Sequence, residues 1–288
     1  MKQALLAIPL CLAMSGAFAA PTDLAICTGG QGGFYEALGT DIGRSVNKAT
    51  NVKVEVLNTG GSVENAALMK DGDCALAIIQ ADAVTSQPLP PDLKVVDAHT
   101  EVVYWIFGKS GVDNFNEMKN DSVAKKYAFA TVAGSGAEVT LKNWIDTDDD
   151  YKGAVPVEFD DWYQAAEAVS QGFVMKAGVK VEIAGMLYIS RPGKISTDIT
   201  EDFGPSLTIG QVEDSSFQSS KDANGNPLYV QCEIDGKQTG GLATSTISDS
   251  DTYCLKAQVV YNNDWHQGDR KIRRAIDKSI NGVVKAVR

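Results

Sequence analysis

Thr28-Gly29-Gly30-Gln31-Gly32-Gly33-Phe34-Tyr35 and, about thirty residues on, Asn58-Thr59-Gly60-Gly61-Ser62-Val63-Glu64-Asn65 decide the fold of this chain. Each glycine-rich stretch follows a short apolar run and precedes a helical pattern. Leu24 to Cys27 and Val52 to Leu57 read as strands, and Val54 and Val56 continue the alternation begun by Val52. Phe34, Ala37, Leu38, Ile42 and Val46 form a stripe at helical spacing, and Val63, Ala66, Ala67 and Met69 mark a shorter helix. Lys70-Asp71-Gly72 ends that helix, and Cys74 to Ile79 is a continuous apolar run, as in a strand covered on both faces. The order β-α-β-α-β predicts a parallel sheet with right-handed crossovers.

The unit recurs further along. After the proline-rich Gln87-Pro88-Leu89-Pro90-Pro91 come strands around Leu93–Val96 and Val102–Phe107. Tyr127–Val132 is then a strand, Gly134-Ser135-Gly136 a turn, and Ala137–Ile145 a helix. Val155–Phe159, Trp162–Gly172 and Val181–Tyr188 read as strand, helix and strand. Tyr229–Ile234 and Ala257–Tyr261 are late strands, and Asp269–Val287 is a closing amphipathic helix with Ile272, Ile276, Ile280 and Val284 on one face. The expected fold class is α/β, a two-lobed clamshell with a mainly parallel sheet and flanking helices in each lobe. The chain is expected to cross between lobes near 104 and 207, giving 20–104 plus 208–288 as the first lobe and 105–207 as the second.

The first residues bound the compartment. Met1-Lys2-Gln3, an apolar run from Ala4 to Met14 and Ala17-Phe18-Ala19 predict a signal peptide over 1–19, cleaved after Ala19, and a periplasmic mature protein. The apolar run falls short of the roughly 20 residues a membrane span needs. Cys11 follows Leu10 rather than the small residue that lipidation wants. The whole chain carries 26 basic and 37 acidic residues, a net charge of −11. Loss of Lys2 with the leader takes the charge to 25 − 37 = −12. Such a surface argues against nucleic acid and anionic membrane partners.

Four cysteines lie beyond the leader: Cys27, Cys74, Cys232 and Cys254. An even count in an oxidising compartment reads as disulfides, with three connectivities open. Cys232–Cys254 is favoured because it closes a two-stranded segment, and Cys27–Cys74 follows by elimination. Free buried thiols remain the alternative for the second pair. No metal site and no cofactor are expected, since no cysteine pair has C-x-x-C spacing and His99 and His266 are the two histidines.

Most catalytic readings fail on their own terms. The first glycine turn has Tyr35 where a dinucleotide fingerprint needs its third glycine, and Leu57-Asn58 stands where an acidic residue should end the second strand. Asp146-Thr147-Asp148-Asp149-Asp150 lacks the glycine of a calcium loop, having Tyr151 there and Val157 at the twelfth position. No Gly-x-Ser-x-Gly elbow occurs, and no catalytic residues are assigned.

What remains is polar decoration where strand ends converge. Thr28, Gly29, Gly30, Gln31, Tyr35, Thr59, Gly60, Gly61, Ser62, Asn65, Gln80, Asp82, Ser135, Gly136 and Arg191 form the candidate ligand-binding set. Helix N-termini near Gly30–Gly33, Gly61–Ser62 and Ser135–Gly136 are expected to hold an anionic or polar group. Arg191 is the expected cationic partner of a carboxylate. Ser135 and Glu138 also match the Ser-x-x-Glu capping box, which would turn both side chains to their own helix end. Tyr35 has a core-packing alternative, and Gln80 and Asp82 an ordinary loop one.

The run Gly29 to Gly39, the stretch Thr59-Gly60-Gly61-Ser62-Val63-Glu64-Asn65, Gln80-Ala81-Asp82 and Gly134-Ser135-Gly136 together resemble the TAXI solute-binding proteins of TRAP transporters. The resemblance runs through most of 24–190 in order and spacing. It implies a two-lobed receptor of the periplasmic-binding-protein fold that captures a small polar or anionic solute and delivers it to a TRAP-type membrane permease; a monomer is expected. Known relatives of that family are linked to glutamate, glutamine or dicarboxylates. Cys74 stands where the family has aspartate, and Tyr188-Ile189-Ser190-Arg191-Pro192 differs from its usual turn. A sensor subunit feeding a signalling partner, or a periplasmic enzyme using the same cleft, are the alternatives from other classes.

Overall fold

A computed structural model describes residues 23–247, 249–263, 265 and 269–288. The expected leader and its cleavage site, together with His266, lie outside the described residues.

The first half begins β1 (Asp23–Cys27), α1 (Phe34–Ala49), β2 (Lys53–Leu57), α2 (Ser62–Asp71), β3 (Leu76–Gln80) and α3 (Ala81–Ser86), and then enters β4 (Leu93–Phe107). β1 pairs in parallel with both β2 and β3, as the repeated strand–turn–helix pattern requires. All five residues of β3 are buried, the signature of a strand covered on both faces. α1 buries Leu38, Ile42 and Val46 at four-residue spacing. At its C-terminal end, α2 is closed by Gly72 in the left-handed conformation.

The second half carries α4 (Asp121–Ala124), β5 (Tyr127–Val132), α5 (Gly136–Thr147), β6 (Pro156–Phe159), α6 (Trp162–Gln171), β7 (Phe173–Lys176), β8 (Val179–Ser190) and α7 (Thr197–Phe203). β9 (Thr208–Ile209), β10 (Val230–Ile234), β11 (Ala243–Thr244), β12 (Ser250–Asn262) and α8 (Arg270–Val287) complete it. Asp161 caps α6 by accepting from Gln164 N at 2.8 Å, and Asp269 caps α8 by accepting from Lys271 N at 2.8 Å and Ile272 N at 3.1 Å. The buried stripe of α8, Ile276, Ile280 and Val284, packs with α1 over the first half of the sheet, where Ser45 and Ser279 hydroxyls meet at 2.9 Å.

The main sheet order is β2-β1-β3-β12-β4-β8-β5-β6. The architecture is α/β with two packed halves, as expected, and each half has a parallel set: β2-β1-β3 in one, β8-β5-β6 in the other. Two long strands join them. The segments read as separate strands at Leu93–Val96 and Val102–Phe107 are one 15-residue strand, β4. Along its first part β4 pairs antiparallel with β12, along its second with β8, and Val102 has a partner on each side, Cys254 and Ser190. β12 lies antiparallel between β3 and β4, a placement that local periodicity does not encode.

Alternation along β4 serves two cores. Val102, Tyr104 and Ile106 enter one buried cluster, Val103 and Trp105 another on the opposite face. Leu207, Ile209, Phe217, Tyr229 and Tyr253 bury into these same second-half clusters. Packing therefore keeps the segment after 207 with the second half until β12 passes Leu255. Both cysteine pairs are bonded, Cys27 to Cys74 and Cys232 to Cys254.

Candidate functional site

Between the halves lies a cavity of about 750 Å³. The turn before α1 supplies Gly29 to Gly33, with Phe34 and Tyr35 behind it; Gly60, Gly61 and Ser62 come from the turn before α2. Gln80 and Glu101 form the inner wall, and the second half contributes Ser135, Gly136, Trp162, Tyr188 and Arg191. Of the fifteen residues expected, eleven line this cavity: Gly29, Gly30, Gln31, Tyr35, Gly60, Gly61, Ser62, Gln80, Ser135, Gly136 and Arg191.

The other four serve the framework. Thr28 is fully buried and donates its hydroxyl to Leu57 O at 2.8 Å, tying β1 to β2. Asn65 is also fully buried; its Nδ2 donates to Thr28 O at 2.5 Å and Ile78 O at 2.8 Å, and its Oδ1 accepts from the Thr59 hydroxyl at 2.7 Å. The Leu57 carbonyl also accepts from Thr28 N at 3.0 Å, so both side chains reinforce the joints between strand ends. Asp82 is buried beneath the cleft. Its Oδ2 accepts from the Thr140 hydroxyl of α5 at 2.5 Å and from Tyr229 Oη at 2.9 Å, while Oδ1 accepts from Ala83 N at 2.8 Å. Burial pushes its carboxyl up to about 6 against these hydrogen bonds, which favour the charged form.

The helix ends differ from expectation in an instructive way. Glu36 accepts from Gly32 N at 2.6 Å, Glu64 from Gly60 N at 2.6 Å and Glu138 from Gly134 N at 2.8 Å. Three times, the carboxylate four residues on from a glycine turns back to the turn's own N–H. The positive end of each helix is thereby partly neutralised from within. Ser135 does cap α5, its Oγ accepting from Glu138 N at 3.2 Å, but Glu138 reaches Gly134 N rather than closing the box at Ser135 N. Ser135→Ala is expected to cost about 1 kcal/mol, read as a lower urea midpoint with unchanged slope. An unchanged midpoint would show that the glutamate alone sustains the cap.

The charge that can meet an anion comes instead from the second half, from Lys194 and above all from Arg191. Its guanidinium carbon sits 3.4 Å from the centre of the Phe34 ring, so a residue following β8 stacks on the first residue of α1 across the cleft. Burial lowers its pKa, opposed by the nearby Glu101 carboxylate, yet an arginine keeps its charge throughout the physiological range. Tyr188 and Trp162 form an edge-to-face pair at 5.1 Å on the same wall.

Glu101 is the residue the motif reading missed. It is 5% exposed, its Oε2 accepts from Tyr35 Oη at 3.1 Å and Gln80 Nε2 at 2.9 Å, and its Oε1 meets His99 Nε2 at 3.2 Å. His99 and Glu101 share a face of β4 immediately after the register shift at Ala98, where the chain bulges against β12. The signal available was a histidine and a glutamate two apart, just before the apolar run Val102 to Phe107. Gln80 Oε1 is buried without a partner among the described residues, and a Cβ at Gly136 would run into that amide. Glycine at 136 thus lets the second half approach the inner wall closely. Val63 N also donates to Gly134 O at 3.1 Å, so the first turn of α2 touches the turn before α5 across the cavity rim.

Residues 26–88 match the NMT1-like family. The matched stretch holds both glycine turns, β1 to α3, and the Gln80-Ala81-Asp82 segment. No curated protein matches the chain. Among solved structures, the Synechocystis PCC6803 CcmR regulatory domain in complex with 2-PG is 11% identical over 91% of this chain and 97% of its own, with a TM-score of 0.49. The GluR0 ligand-binding core from Nostoc punctiforme in complex with (L)-glutamate is 11% identical over 92% and 96%, with a TM-score of 0.47. Iron-bound HitA from Pseudomonas aeruginosa is 10% identical over 92% and 84%, also at 0.47.

Proposed function

We propose that this chain is a periplasmic solute-binding receptor, processed after Ala19, that closes as a monomer on a small amino acid and delivers it to a TRAP-type permease. What supports the reading is one juxtaposition: a guanidinium, Arg191, and a buried carboxylate, Glu101, line the same cavity of about 750 Å³. A ligand carrying both a carboxylate and an ammonium answers both groups; a dicarboxylate answers Arg191 and is repelled by Glu101. The volume suits a compound of amino-acid size with its first waters. By the same proposal the lobes hinge where β4 passes Val102 and β12 passes Cys254–Leu255, so that 207–255 moves with the second lobe.

A thermal-shift series with glutamate, glutamine, succinate and malate tests the reading, with mass spectrometry of any ligand retained through purification. A ligand at a hundredfold excess over its Kd adds about 2.7 kcal/mol. That amounts to a rise of about 5–10 °C in a chain of this size. Glutamate or glutamine should give the larger rise. If no amino acid and no dicarboxylate moved Tm, the receptor reading would fail.

A further inference from the structure

A second cavity, of about 520 Å³, lies behind Arg191. Four cationic side chains line it, Arg191, Lys194, Lys256 and Arg288, against one acidic residue, Asp97. This inverts the balance of the whole protein, where acidic residues outnumber basic ones by 37 to 26. Arg191 and Lys194 also line the cleft, whereas Lys256 and Arg288 belong to the second cavity alone.

None of the four cations is paired with a carboxylate among the described residues. Lys256 Nζ donates to the Thr100 hydroxyl at 2.7 Å. The Arg288 guanidinium donates to the backbone carbonyl of Asp97. The Asp97 carboxylate itself accepts from Gln258 Nε2 at 2.9 Å. Their positive charge is therefore left to the cavity rather than consumed by ion pairs.

The histidine supplies an independent sign. His99 lines this cavity, is 6% exposed, and turns Nε2 to Glu101 Oε1 at 3.2 Å. Its Nδ1 is buried with no hydrogen-bond partner among the described residues. A carboxylate can only accept, so Nε2 carries the proton in that contact. A buried polar atom without a partner is the exception in folded proteins and points to something that completes it.

We infer that the second cavity is a binding site for a small oxyanion of the phosphate or sulfate class. Arginine matches such an ion with its planar fork, and the lysines add point charge. The site shares Arg191 and Lys194 with the solute cleft but does not rest on the solute proposed for it.

Inorganic phosphate and sodium sulfate, titrated at pH 7 with ionic strength held constant by sodium chloride, test the inference. The readout is the ring proton signals of His99, assigned with the aid of a His266→Gln variant. Saturable movement of those signals is expected with either oxyanion. Lys256→Gln should weaken that response by about tenfold, the loss of one charge-assisted hydrogen bond. Because Lys256 lies outside the cleft, the thermal shift by glutamate or glutamine should be unchanged in that variant. A linear, non-saturating response, or one that Lys256→Gln leaves untouched, overturns the site. If oxyanions bind saturably while no amino acid shifts Tm, the second cavity stands and the receptor reading falls.

Discussion

Arg191→Gln is expected to weaken amino-acid binding by about a hundredfold, with stability in the absence of ligand almost unchanged. The guanidinium is half-buried, stacked on Phe34, and engages no carboxylate side chain among the described residues, so few folded-state contacts are lost with its charge. A ligand carboxylate loses a bidentate, charge-assisted partner in a desolvated cleft, which is worth about 2–5 kcal/mol when one side of such a pair is truncated. Arg191→Lys should recover only part, because an ammonium cannot reproduce the fork or lie flat on the ring. Glu101→Gln provides the complementary arm. It should weaken amino acids, whose ammonium loses a counter-charge, and relieve the repulsion felt by succinate. Calorimetric titration of the three variants separates these effects. Binding within about threefold of the wild type in Arg191→Gln would remove the guanidinium from the site and with it the basis for an anionic ligand group.

How far the sequence could be read follows from where each signal is stored. The strand–turn–helix repeats were legible because their determinants are local: alternation in β2, four-residue stripes in α1 and α8, glycine at the turns. The place of β12 between β3 and β4 was not, since a strand far along the chain joins that sheet through long-range pairing with no local mark. Within the site, polar residues near strand ends carried two meanings that sequence cannot separate. Gln80 and Asn65 both look like ligand groups. Gln80 faces the cavity, while Asn65 is consumed by the carbonyls of Thr28 and Ile78. The same holds for the helix ends, where Glu36, Glu64 and Glu138 sit four residues after glycines and take back part of the positive potential that the bare turns advertise. Glu101 escaped notice because it lies outside every glycine turn, inside a strand whose neighbours Val102 to Trp105 read as core.

Asp82 turns that ambiguity into a stability experiment. It is fully buried where α3 meets α5, and its carboxylate gathers the hydroxyls of Thr140 and Tyr229. Asp82→Ala leaves both hydroxyls without this acceptor in a region closed to water, a loss of about 2–4 kcal/mol at pH 7 by urea denaturation. The pH dependence has a definite sign. Burial raises the folded-state pKa to about 6, above the value the same group has in the unfolded chain. Between about pH 4 and pH 6 the native state therefore holds a proton at Asp82 that the unfolded state releases, and stability falls as pH rises through that window. Asp82→Asn cannot titrate, keeps an oxygen for Thr140 and Tyr229, and should flatten this segment of the profile while remaining folded. Since α3 and α5 belong to different halves, the carboxylate also ties the two sides of the cleft together beneath the ligand cavity. Losing it should lower ligand affinity through a wider population of open forms, even though Asp82 does not line the cavity. A profile between pH 4 and 6 that is identical in wild type and Asp82→Asn, together with a loss below about 1 kcal/mol in Asp82→Ala, would deny Asp82 both roles.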